Sequence, residues 1–133
     1  MMVNQIIGVF LISCLFFLGA VGGRIEGYFF PVTNMGVIEA HAAVGETWTR
    51  IWGHSFRLRH CSFDHLSWYL GHEDDDSRAD LIFEEGTKVR SNGRFDFGPW
   101  LVQLTPQQLF GRSYAIVYHR CHPFWLTETR FYG

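Results

Sequence analysis

Ser113-Tyr114-Ala115-Ile116-Val117-Tyr118-His119-Arg120-Cys121 is the stretch on which the fold turns. Successive side chains on a strand point to opposite faces, so Tyr114, Ile116 and Tyr118 share one face and Ala115, Val117, His119 and Cys121 the other. Both faces are largely apolar, which predicts a central strand covered on two sides. Outward from it, strand-like runs of β-branched and aromatic residues recur at Gly27 to Val32, Thr47 to Arg59, Leu66 to Leu70, Asp80 to Glu85, Lys88 to Phe97 and Trp100 to Leu104. Asn92-Gly93 predicts a tight type I′ hairpin, because both central positions of that turn need positive φ. In Arg94-Phe95-Asp96-Phe97 the alternation points Phe95 and Phe97 inward. Thr105-Pro106-Gln107-Gln108 carries a hydroxyl N-cap, a proline at the first helical position and a glutamine at the third, a capping box opening one short helix that Gly111 closes. Gly71 to Arg78, with Glu73 and Asp74 to Asp76, reads as a polar loop.

The other informative stretch is Ile6 to Gly22, IIGVFLISCLFFLGAVG, 17 residues without a charge. Every ionisable side chain except Cys14 lies from Arg24 onward. The length is at the lower limit for a helix that crosses a bilayer, and the expectation is an uncleaved anchor. A signal peptide cleaved before Gly23, after the small residues Ala20-Val21-Gly22, is the alternative and would release a secreted domain. Leu11-Ile12-Ser13 before Cys14 has the form of a lipoprotein box, but the chain stays apolar after the cysteine. The division is therefore 1–23 as the anchor or signal segment and 24–133 as one β-rich domain.

Those 110 residues are the size of a single domain, and the chain as a whole is 47% hydrophobic and 17% aromatic, enough to supply a core. With 13 acidic and 11 basic side chains the field is weak, and no basic face points to nucleic acid. Only Arg24 among the flanking residues bears on the positive-inside rule, so orientation rests on the cysteines. Cys61 and Cys121, 60 residues apart and each beside aromatic residues, read as a structural disulfide formed outside the cytoplasm. A single-pass inner-membrane protein with its domain in the periplasm or exterior follows.

The ending His119-Arg120-Cys121-His122-Pro123-Phe124-Trp125-Leu126-Thr127-Glu128-Thr129-Arg130-Phe131-Tyr132 resembles that of small membrane-anchored proteins of bacteriophages and prophages. Cys61, Ser67-Trp68-Tyr69-Leu70-Gly71 and Gly98-Pro99-Trp100 extend the likeness over about a third of the chain. The resemblance implies a phage or prophage origin and brings no activity and no site residue. Cys61, Trp68-Tyr69, Gly93-Arg94-Phe95 and Ser113 to Tyr118 before Cys121 are also similar to an immunoglobulin variable domain. The Trp, however, follows the first cysteine by only seven residues, and His119 stands where the tyrosine-corner residue belongs. The sandwich architecture is kept and that family dropped.

Several residue groups bear on chemistry. His60-Cys61 with His65, and His119-x-Cys121-His122, form two clusters that could meet around copper or zinc. Adjacent strand residues face opposite ways, so among these only pairs such as His119 and Cys121 share a face. A Cys-His nucleophile competes with the disulfide for the same sulfurs. Ser91 lacks the elbow pattern of a hydrolase, and Glu84-Glu85 or Asp96 as glycosidase acids have no visible partner. Asp74, Asp76 and Asp80 do not match a calcium loop, since Arg78 stands where an oxygen ligand belongs. Trp48 and Trp52, four apart with Arg50 between them, have the composition of a binding patch, against which core packing is the plainer reading. The expectation is an all-β domain, sandwich-like or a small barrel, behind an N-terminal transmembrane helix. It serves as a binding or structural module with an envelope or virion partner, without cofactor, and is more a binder than an enzyme. A metal-binding envelope protein and a lysis-associated accessory are the alternatives.

Overall fold

The computed structural model describes residues 1–72, 75–84, 88–89 and 93–133. It opens with helix α1, Met2–Phe29, long and apolar enough to cross a membrane. Among the described residues nine strands follow: β1 (Val37–Val44), β2 (Trp48–Phe56), β3 (Ser62–His72), β4 (Asp75–Ala79), β5 (Leu81–Phe83), β6 (Lys88–Val89), β7 (Arg94–Val102), β8 (Ser113–Arg120) and β9 (Thr127–Tyr132). One short helix, α2 (Pro106–Gly111), separates β7 from β8. Every pairing among the described residues is antiparallel. The first sheet has the order β1-β2-β7-β5 with β6 also on β7, and the second the order β4-β3-β8-β9.

The two sheets face each other across one core, so the domain is a sandwich rather than a closed barrel. Ile51, Phe95, Phe97, Trp100 and Val102 come from the first sheet, and Leu66, Trp68, Ala115, Val117 and Phe131 from the second. Phe131 is the meeting point, with its ring 5.3 Å from Phe97, 6.0 Å from Trp100 and 6.5 Å from Phe95. β8 is central, as its two apolar faces require: Ala115 and Val117 point into the core, while Tyr114, Ile116 and Tyr118 point to the outer face. α2 carries the expected capping box. The Gln108 amide donates to Thr105 Oγ1 at 3.3 Å and the Thr105 amide to Gln108 Oε1 at 3.0 Å. Leu109 is thereby set into the core.

Several expectations are corrected. Gly27 to Phe29 are the last turn of α1, not the start of a strand, because Gly27 is a contact point between that helix and β9. Phe97 and Trp100 lie on one strand, β7; Gly98 at φ +101° and a register shift against β2 accommodate the Gly98-Pro99 pair that reads as a break. The polar stretch after Gly71 contributes a strand, Asp75–Ala79, paired with the end of β3. The proposed turn includes Asn92, outside the described residues, but its flanks pair Lys88 with Asp96. A two-residue turn would set Lys88 against Phe97, so the register differs by one.

β1 and β9 carry no clear pattern in the sequence for opposite reasons. β1 is an edge strand exposed on both faces, so nothing enforces alternation. β9 alternates strictly, with Thr127, Thr129 and Phe131 buried, but two of its three inward residues are threonines and look polar.

Candidate functional site

The site forms where α1 meets the second sheet. β9 is that sheet's edge, and an exposed edge invites pairing. α1 and the segment that follows it cover this one. The approach is closer than side chains would permit: an added Cβ at Gly23 would lie 2.1 Å from the Leu126 carbonyl oxygen, and at Gly27 1.7 Å from that of Glu128. Glycines four apart present one bare helix face, and β9 lies along it. Beyond the helix, the Gly36 amide donates to the Phe131 carbonyl at 2.6 Å, and the Val32 amide to Thr129 Oγ1 at 3.3 Å.

Glu26 locks the junction. Its Oε2 accepts from His122 Nε2 and Trp125 Nε1, each at 2.7 Å, and from the Thr127 hydroxyl at 3.1 Å. Its Oε1 accepts from Arg59 Nη2 at 3.1 Å, and Arg59 Nη1 also donates to the Phe30 carbonyl at 2.9 Å. Burial by itself raises the Glu26 carboxyl, but the four donors outweigh it and hold the group down at about 2. One carboxylate therefore ties the helix to the segment leading into β9 and to the chain between β2 and β3.

Beside this clamp the helix end and the outer face of the sheet enclose a groove of about 540 Å³. Its lining includes Tyr69, Tyr114, Ile116 and Tyr118 from the sheet. Tyr69 and Tyr114 stack at 5.0 Å, and the Arg130 guanidinium lies 4.9 Å from the Tyr114 ring centre. Tyr118 stacks on His65 at 4.1 Å; burial and its hydrogen bond with Tyr69 push its phenol up, so it stays protonated at neutral pH. Arg24 and Tyr28 from α1, with Pro31, Asn34 and Met35 after it, line the helix side. Glu128 stands 3.7 Å from Arg24. Aromatic faces with guanidinium groups at the rim can stack a planar or sugar-like group and neutralise an anion.

The residues singled out in the sequence are distributed elsewhere. Cys61 and Cys121 are bonded, with Cα atoms 4.6 Å apart. They flank the Ser62–Arg120 pair of β3 and β8, so the bond staples neighbouring strands of one sheet and does not cross the sandwich as in an immunoglobulin domain. Their sulfurs are committed to each other. His119 is buried in the core beside Phe63, His65 stacks on Tyr118, and His60 is exposed. Among the described residues no three His, Cys, Asp or Glu side chains are grouped to hold a metal ion. Trp48, Arg50 and Trp52 are half-buried and alternate with the buried Thr49 and Ile51, which places them on the outer face of the first sheet. Arg50 Nε reaches Glu84 Oε1 at 2.8 Å. Asp96 lies 3.5 Å from Arg94; Asp74, Glu85 and Ser91 lie outside the described residues.

Glu26 and the groove tyrosines escape a reading by motif. Tyr114, Ile116 and Tyr118 do show in the sequence as one face of β8, and the unexplained feature is what covers them. A lone carboxylate two residues past the first charge after an apolar run would have been the cue for the clamp. No protein-family model matches this chain, and neither curated proteins nor solved structures provide a match to it.

Proposed function

We propose that this protein is a membrane-anchored, extracytoplasmic binding module of phage or prophage origin that takes its ligand in the tyrosine-lined groove between α1 and the second sheet. The observation that carries the reading is the groove itself, with its stacked Tyr69 and Tyr114 and the arginines Arg24 and Arg130 on its lining. A binding site needs such converging aromatic and basic groups and no catalytic set. The disulfide supports placement outside the cytoplasm, and α1 supports the anchor. The envelope or virion partner is the source of the ligand. A second reading places the partner on Trp48, Arg50 and Trp52, which share one outer face of the other sheet.

Cross-linking capture of envelope components by the full-length protein separates the two. Arg24 and Tyr28 are 78% and 82% exposed, so Arg24→Ala with Tyr28→Ala spares the core. Loss of the captured partner in that variant, with capture retained in Trp48→Ala/Trp52→Ala, is the expected outcome. The reverse pattern would move the site to the tryptophan face.

A further inference from the structure

The segment from Cys121 to Leu126 is held against the helix at the point where its apolar run ends. An added Cβ at Gly22 would lie 2.9 Å from three ring carbons of Trp125, and Leu126 is level with Gly23. β9 then climbs beside the helix toward Gly27, so the loop before it occupies the lower end of the domain. A hydrocarbon core of about 30 Å takes about 20 helical residues at 1.5 Å each. The 17 charge-free residues Ile6 to Gly22 supply most of these, and Arg24 is the first charge beyond. With α1 as an anchor, this places Trp125 level with the end of the apolar run, where acyl chains give way to headgroups. Phe124, its neighbour, is 79% exposed. The loop does not swing free: Cys121 is in the disulfide, His122 and Trp125 both donate to Glu26, and the Phe124 amide donates to His122 Nδ1 at 3.3 Å.

We propose that Phe124 is a second membrane contact, inserted into the interface of the same bilayer that holds α1. The inference rests on the anchored reading of α1 and not on the groove. An apolar ring held at that depth by a rigid loop is removed from water by phospholipid, as aromatic residues are at membrane boundaries. Its partner is the phospholipid surface, because Phe124 is continuous with the apolar helix through Trp125 and Gly22. The domain then sits directly on the bilayer with a fixed orientation, and the groove, whose lining includes Arg24 and Tyr28, opens just above the lipid.

The test uses the full chain with Cys14→Ser, which leaves no free thiol, and Phe124→Cys carrying an environment-sensitive fluorophore. The protein is reconstituted in phosphatidylcholine–phosphatidylglycerol vesicles containing lipids brominated on the upper acyl chain. Glu46→Cys is the control. It lies in the turn between β1 and β2, at the end where Thr49 bonds Leu104 and Tyr132 reaches Leu109. The expected result is blue-shifted emission at position 124 quenched at least about twofold, with the probe at 46 unquenched. An aqueous, unquenched probe at 124 in full-mass protein that floats with the vesicles overturns the proposal and leaves the anchor standing. A soluble product beginning near Gly23 overturns the anchored reading, and this inference with it.

Discussion

At the scale of single residues, two titratable groups, the part-buried Glu26 and the buried His119, shape how the domain responds to acid, in separate windows. The Glu26 carboxyl is held near 2 against an ordinary 4.5, so its stabilising contribution is complete above pH 4.5 and is lost as pH falls toward 2. Glu26→Ala leaves four donors without their acceptor and should cost about 3 kcal/mol, measured by urea unfolding at pH 7. His119 behaves differently. Burial, aided by Arg57, lowers its imidazole from 6.5 to about 4, so the folded state resists a proton that the unfolded chain accepts. Stability should be complete above pH 6.5 and decline as pH falls toward 4. His119 Nδ1 has no partner among the described residues, so His119→Leu removes a buried polar atom at little cost. That variant should match the parent in melting temperature at pH 7.5 and exceed it at pH 5; an unchanged pH dependence would show that His119 does not titrate in this range.

At the scale of elements, the question is why α1 belongs to the domain and is not a tether. Its contact with β9 runs through backbone, and the bare surface at Gly23 and Gly27 makes that possible. Gly27→Ala should destabilise the junction by at least about 2 kcal/mol, since the obstruction is a carbonyl oxygen that cannot rotate away. Hydrogen exchange in Thr127–Tyr132 should rise with it. Gly19→Ala, where the space is open, should leave exchange unchanged. The staple between β3 and β8 has a different physical basis. Closing a loop of 60 residues removes about 4 kcal/mol of unfolded-state freedom in the chain-entropy model, so Cys61→Ser should cost about 2 to 5 kcal/mol. Mass spectrometry of the unreduced protein should find it two hydrogens lighter than the thiol form.

At the scale of the whole molecule, anchor and sandwich make one topological statement. The protein should remain in the membrane fraction at full mass, and protease added to spheroplasts should remove the domain. Protection from that protease would put the domain in the cytoplasm and remove the basis for an oxidised cysteine pair. Because Glu26 and the glycine face fix α1 to β9, cleavage should proceed from exposed turns of the sandwich and leave the junction for last.

What was legible in the residues follows from local physics. The charge-free run to Gly22 determines an apolar helix, the two apolar faces of Ser113–Arg120 determine a central strand, and Thr105 to Gln108 determine a capped turn, because each signal is complete within a few neighbouring residues. The pairing of Cys61 with Cys121 was legible as chemistry, but its place within one sheet came only from the β3–β8 register. Strands β1 and β9, the covering of Tyr114 and Tyr118, and the four donors gathered on Glu26 were decided by tertiary structure. Arg59, His122, Trp125 and Thr127 lie 33 to 101 residues from Glu26 in sequence. Nothing local distinguishes a carboxylate that will meet such partners from one that will face water, and only the docking of a glycine-faced helix on an edge strand brings them together.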